Sequence, residues 1–170
     1  MLTDPNIKGH RDAADVVVLE AHYLDNRRWD DWLGLFAPDC EFWVPAWKSE
    51  QELTSHPDAE LSLIYYRSRA SLQDRVTRIR SGHSIASAVL PRTLHSISNI
   101  QAEPLESGTS ARVMSNWVVH QYNVRKAETE VLFGRYEHEI GWIDGRPVIR
   151  RKKIVILNDC LPSSLDICSI

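Results

Sequence analysis

A chain of 170 residues, 43% hydrophobic and 25% charged, has the length and balance of one globular domain that can bury its own core. Its formal net charge of -3 and pI of about 6.2 lack the basic excess of nucleic-acid binders, which sets that class aside. The three cysteines, Cys40, Cys160 and Cys168, form an odd set without framework or metal-ligand spacing, which argues against a disulfide-built secreted domain.

The opening stretch "MLTDPNIKGHRDAAD" has no apolar leader, and no run of about 18 apolar residues follows. A cytoplasmic protein without membrane contact is expected. Residues 1–11 read as a flexible N-terminal arm broken by Pro5 and Gly9, and residues 12–170 as a single domain. From Asp12 the pattern is helical, with Val17, Ala21 and Leu24 on one face. After "LDNRR" a second helical patch places Trp29, Trp32, Leu33 and Phe36 at i, i+3, i+4 and i+7, and Pro38 ends it.

"CEFWVPAW" reads as a strand, Phe42 and Val44 facing one way and Glu41 and Trp43 the other. Pro45 marks an edge strand or a strand end. Residues 48–60 are polar and read as a loop, and "LSLIYY" is short and β-like. "SLQDRVTRIRSG" reads as a helix with Ser71 as N-cap, Leu72, Val76 and Ile79 buried, and Gly82 at its end. The remainder is β: "TLHSISNIQAE", "SARVMSNWVVHQYNV", "TEVLFGRYEHEIGWI" and "PVIRRKKIVILND", the last two joined by a tight Asp144-Gly145 turn. Helices first and long neighbouring strands after imply an α+β fold, a curved antiparallel sheet wrapped on the N-terminal helices.

The seven histidines show no i, i+4 helical pair and no H-E-x-x-H, and no cysteine has a histidine at Rieske spacing. No G-x-G-x-x-G, Walker loop or G-x-S-x-G elbow is present. Tyr23, Asp39 and His95 could supply acid–base chemistry inside a cone, though a structural role for each is the stronger reading. In "RRKK", alternation puts Arg150 and Lys152 on one side and Arg151 and Lys153 on the other, with Glu137 and Glu139 as possible cross-strand partners. Arg67, Arg69, Arg75, Arg78 and Arg80 make either a solvated face or an arginine-rich docking surface.

"LDNRRWDDWLGLFAPDCEFWVPAW", "LSLIYYRSRASLQDRVTRIRSG", "TLHSISNI", "FGRYEHEI" and "RRKKIVILND", in this order, resemble the small (β) subunit of ring-hydroxylating dioxygenases, nearest to the benzoate and anthranilate 1,2-dioxygenase branch. The resemblance runs from about residue 12 onward. It implies a cystatin-like cone shared with nuclear transport factor 2 and ketosteroid isomerase. It also implies a large α subunit as partner, assembled as α3β3 with β–β contacts. That subunit would carry a Rieske [2Fe-2S] cluster and a mononuclear Fe(II), fed from NADH through a reductase. Such an enzyme adds O2 to an aromatic carboxylic acid, and its β subunit is structural, with no catalytic, cofactor or metal residue of its own. A free-standing dehydratase or isomerase of the same fold is the alternative. The "LDICSI" tail, with Cys168 in it and Cys160 just before, departs from the family pattern.

Trp43 and Trp47 are expected to form an exposed aromatic surface that is buried on assembly. Tyr65, Tyr66, Arg67, Arg69, Arg150, Lys152, Asn158 and Asp159 complete the expected subunit interface.

Overall fold

The computed structural model describes residues 5–81, 90–105, 109–158, 161 and 165–170. Among the described residues three α-helices, α1 (Pro5–Asp25), α2 (Trp29–Gly34) and α3 (Arg69–Ser81), pack against six strands. The strands are β1 (Phe36–Pro45), β2 (Ser62–Tyr66), β3 (Arg92–Pro104), β4 (Ser110–Asn123), β5 (Glu128–Ile143) and β6 (Arg146–Ile156). The sheet order is β2-β1-β6-β5-β4-β3, with β1 and β6 parallel and the other neighbours antiparallel. This is the expected α+β cone with a mainly antiparallel sheet.

α1 begins at Pro5, inside the segment read as an arm. Proline suits the first helical position, because its missing N–H would have had no partner there. The helix buries Ala13, Val16, Val17, Ala21 and Leu24. It ends without glycine. Arg27 takes the left-handed conformation at φ 53°, while the Arg28 N–H bonds Tyr23 O at 2.8 Å and the Arg27 N–H bonds Leu24 O at 3.0 Å. That pair of bonds satisfies the last carbonyls of the helix.

α2 stops at Gly34, and Phe36 belongs to β1 rather than to the helix its spacing suggested. Phe36 stands opposite Ile149 of β6, and sheet pairing overrides the helical period. Pro38 falls where the β1–β6 register shifts, between Phe36 and Glu41, where its lack of an N–H costs nothing. All four predicted core residues, Trp29, Trp32, Leu33 and Phe36, are buried nonetheless. Trp32 meets Phe36 edge-on at 4.9 Å and Phe42 at 6.4 Å. β1 lies inside the sheet, so Pro45 marks a strand end and not an edge strand.

The cap of α3 is Ser68, whose Oγ accepts the Ser71 N–H at 3.2 Å, so the helix starts one turn before the predicted Ser71. Leu72, Val76 and Ile79 are buried as expected, and Gly82 lies outside the described residues. Besides the shift at Pro38 and one between Val44 and Pro45 in the β1–β2 pairing, the ladder is irregular at two further places. One is in β3, where the pairing with β4 shifts between Ser98 and Gln101 and Asn99 has φ 52°. The other is between Glu139 and Ile140 of β5, where Arg150 of β6 is bulged out. Asp144 and Gly145, at φ 51° and 74°, make the tight turn between them. Residues 165–170 fold back onto the cone, and Ile167 and Ile170 join the core.

Candidate functional site

The inward faces of the strands carry more than apolar residues. Gln121, Trp117 and Ser115 of β4, Tyr136 and His138 of β5, and Lys152 of β6 are all buried. α1 adds Glu20, which falls between Val17 and Ala21 on the apolar face of the helix. One carboxylate organises this group. Glu20 Oε1 accepts from Lys152 Nζ at 2.9 Å and from Trp32 Nε1 at 3.2 Å, and Oε2 lies 3.1 Å from His138 Nε2.

Burial pushes the Glu20 carboxyl up, but the Lys152 charge and the hydrogen bonds from His138 and Lys152 outweigh it and hold the group at about 2. Burial lowers the pKa of His138 and of Lys152 from their ordinary values. The His138 ring is therefore neutral, and Nε2–H donates to Glu20. The Lys152 ammonium also lies 4.3 Å from the Tyr136 ring centroid and 5.5 Å from that of Phe42. Tyr136 stacks on Trp117 at 5.2 Å and 12°. A Cβ on Gly134, which faces Trp117 across the ladder, would sit 1.9 Å from Val155 O, so the stack depends on a bare backbone there.

Tyr23, Asp39 and His95, the residues weighed for acid–base work, do not form one constellation. Asp39 is exposed on β1, with three strands between it and β3. Tyr23 is half-buried with the Arg28 guanidinium 4.7 Å over its ring. His95 pairs instead with Asp25 at the end of α1: Nδ1 lies 2.6 Å from Oδ1, and the His95 N–H donates to Oδ2 at 2.8 Å. Thr93 Oγ1 donates to the same carboxylate at 3.0 Å. Against the upward push of partial burial, these bonds hold the Asp25 carboxyl below its usual range. Glu20 and Asp25 are thus both held ionised by partners already in place, and neither is a free base.

Two expected interface residues are inside the chain. Trp43 is only 1% exposed: its Nε1 donates to Ser62 Oγ at 2.9 Å, and Arg151 and Lys153 lie over its ring at 5.8 and 5.0 Å. Lys152 is also 1% exposed, because the Arg150 bulge shifts the alternation and turns Lys152 to the face of Ile154 and Ile156. Arg150 is exposed, so the two do not share a side. Arg151 reaches Glu41 at 2.6 Å rather than Glu139, and Tyr65 Oη donates to Glu41 at 3.1 Å.

Trp47 is half-buried, with Nε1 donating to Ile156 O at 2.8 Å. Tyr66 packs partly on the core beside Phe42, Arg67 pairs with Asp58 at 3.2 Å, and Arg69 lines an open cleft with Phe36, Ile143, Arg146 and Val148. Asn158 braces β5, accepting from Phe133 N at 3.0 Å and donating to Val131 O at 3.1 Å, while Asp159 lies outside the described residues.

Burial raises the Cys40 thiol to about 11 and the Cys168 thiol to about 12, so both are unreactive while buried. Cys160 lies outside the described residues. Among the described residues, no group of three His, Cys, Asp or Glu side chains is placed to hold a metal ion. None of the described helices is long and apolar enough to cross a membrane.

These features define an α+β cone of the nuclear transport factor 2 kind, closed by its own side chains, whose interior carboxylates are already paired. The family described as ring hydroxylating beta subunit matches residues 19–163. The benzoate 1,2-dioxygenase subunit beta of Acinetobacter baylyi is 38% identical over 151 residues, spanning 89% of this chain and 88% of that protein. The toluate 1,2-dioxygenase subunit beta of Pseudomonas putida is 36% identical over 153 residues, spanning 90% and 93%. The crystal structure of the benzoate 1,2-dioxygenase beta subunit from Burkholderia mallei superposes with a TM-score of 0.75 at 31% identity, over 100% of both chains. The chain belongs to the ring-hydroxylating dioxygenase β-subunit family.

Proposed function

We propose that this chain is the non-catalytic β subunit of a multicomponent dioxygenase, an oxidoreductase that adds O2 to an aromatic carboxylic acid of the benzoate, toluate or anthranilate type. The observation that carries this reading is likeness over nearly the whole length to subunits of that name. The chemistry of the interior agrees with it, since the buried Glu20 and the partly buried Asp25 carboxylates are both spent on internal partners. The partner is a large oxygenase subunit that bears the Rieske [2Fe-2S] cluster and the mononuclear Fe(II), supplied from NADH through a reductase. We place the assembly at α3β3, with β–β contacts, in the cytoplasm.

Two surfaces suit docking. On the outer face, Leu94 of β3 and Val131 and Phe133 of β5 are exposed large apolar residues, joined by Leu157 and braced by Asn158. Elsewhere Arg69 and Arg146 rim the cleft lined by Phe36 and Ile143, a mix of arginine and apolar surface that interfaces favour. Trp47, Tyr65, Tyr66, Arg67, Arg150 and Asn158 stay in the proposed interface with Arg69, and Asp159 with them. Trp43 and Lys152 leave it.

The test is reconstitution. The chain, its large subunit and the reductase are assayed for NADH-dependent O2 uptake on benzoate, toluate and anthranilate. Turnover of at least one acid by the mixture, and none by this chain alone, is expected. Turnover by the chain without the large subunit would overturn the reading.

A further inference from the structure

Residues 165–170 lie across the cone like a strap. Asp166 holds one end to α3, where Arg75 Nε donates to Oδ1 at 2.9 Å and Arg75 Nη2 pairs with Oδ2. Ser169 holds the other end to β4, its Oγ donating to Gln121 Oε1 at 3.0 Å. Between and beyond these anchors Ile167, Cys168 and Ile170 are buried. The strap therefore joins a helix on one wall of the cone to a strand on the other.

Beneath the Ser169 anchor is the Asp25–His95 pair. Gln121 stands directly opposite Thr93 in the β3–β4 register, and Thr93 bonds Asp25. His95 is the next inward residue of β3, and its side chain is fully buried. The Asp25 carboxylate accepts at Nδ1, which leaves Nε2 as the free pole of the ring. Nε2 has no protein partner among the described residues, nor do Gln121 Nε2 and Trp117 Nε1 on the adjoining strand. Buried polar atoms of this kind call for a hydrogen-bonding occupant. A ring nitrogen held in place, two donors and an indole wall match a small planar molecule that carries one hydroxyl or N–H group.

We propose that residues 165–170 are a strap that opens, and that the Asp25–His95 pair beneath it is a binding site for a small hydroxyl- or N–H-bearing aromatic ligand. The site goes beyond the subunit role and does not depend on it. When the strap lifts, the side chains of Ile167, Cys168 and Ile170 withdraw and Ser169 releases Gln121, which faces Thr93 across the ladder. Asp25 fixes the imidazole, so Nε2 is aimed before any ligand arrives, which lowers the ordering cost of binding.

Cys168 reports the opening. Maleimide labelling of the full chain, with each cysteine followed by mass spectrometry, is compared with labelling of Asp166→Asn and Ser169→Ala. Losing a hydrogen bond to a charged group is worth about tenfold or more in the open population. Asp166→Asn should therefore label at Cys168 about tenfold faster, with Cys40 unchanged and far-UV circular dichroism retained. Should Asp166→Asn fail to fold, Ser169→Ala, which removes one hydroxyl, carries the same comparison.

Phenol is then titrated while the His95 ring nitrogens are followed by NMR. The expected result is a shift of Nε2, larger in the strap variant than in the parent chain. Equal labelling of Cys168 in the parent and both variants would overturn the strap. An Nε2 signal unmoved by phenol in a variant whose Cys168 has opened would overturn the site.

Discussion

Replacing Glu20 by Gln removes the charge that the buried Lys152 ammonium needs. Breaking a buried ion pair from one side costs about 3–5 kcal/mol, and Glu20→Gln or Lys152→Met alone should show a loss of that size in urea unfolding. The double change Glu20→Gln with Lys152→Met leaves no orphaned charge, keeps an acceptor for Trp32 and a hydrogen-bonding partner for His138, and should recover most of it. A double variant as unstable as either single one would show that the pair is not the cause.

The pH dependence follows from the same residue. The folded carboxyl lies at about 2 against an ordinary 4.5, so its stabilisation is whole above about 4.5 and drains as pH falls towards 2. The slope is about 1.4 kcal/mol per pH unit for this one proton. His138 acts in the same direction from higher pH, because its folded pKa is below 6.5 and the unfolded chain binds the proton first. Unfolding free energy should therefore begin to fall below pH 6.5 and fall faster below 4.5. Glu20→Gln should make the steeper limb shallower, with Asp25 contributing to what remains, and an unchanged acid limb would contradict the assignment.

Among elements, β5 depends most on one position. Gly134→Ala would put a methyl group into the Val155 carbonyl of β6 and press on Trp117, and backbone can yield only by parting the strands. A loss of at least about 1–3 kcal/mol is expected, together with weakening of the near-ultraviolet circular dichroism of the Trp117–Tyr136 stack. A Gly134→Ala variant as stable as the parent would mean that β5 and β6 are less closely apposed than described. α1 offers the opposite case. Arg27 is a non-glycine residue at φ 53°, and Arg27→Gly should raise stability by up to about 1 kcal/mol, less what its contacts to Leu90 O and Pro91 O supply.

Much of this architecture is legible in the sequence, and the misreadings have physical causes. Strand existence follows from alternation, and the Asp144-Gly145 turn from its residue types. The sequence misplaces Phe36 because a helical period cannot report that Ile149 is waiting across the ladder. It misleads at Trp43 because alternation gives a face and not what covers it: Ser62, Arg151 and Lys153 come from two other strands or their ends. It misleads at Lys152 because a bulge at Arg150 changes parity without any sequence mark. Glu20 does carry a signal, a carboxylate at an apolar position of an amphipathic helix. Asp25 meets His95 only in three dimensions.

At the scale of the whole molecule, the family membership of the chain and its paired interior point to assembly rather than chemistry. Apolar surface remains outside, at Leu94, Val131, Phe133 and Leu157. Phe133→Asp should leave the isolated chain folded, since the side chain is already 43% exposed, yet weaken co-purification with the large subunit or with further copies of the chain. Undiminished assembly would move the interface to the Arg69 cleft.

The most direct measurement is native mass spectrometry with iron analysis of the chain co-expressed with its large subunit. Equal numbers of the two chains in one complex are expected, with all iron retained by the large chain when the two are separated and none bound by this one. A chain that stays apart from the large subunit, or that carries stoichiometric iron by itself, would contradict its role as a non-catalytic subunit.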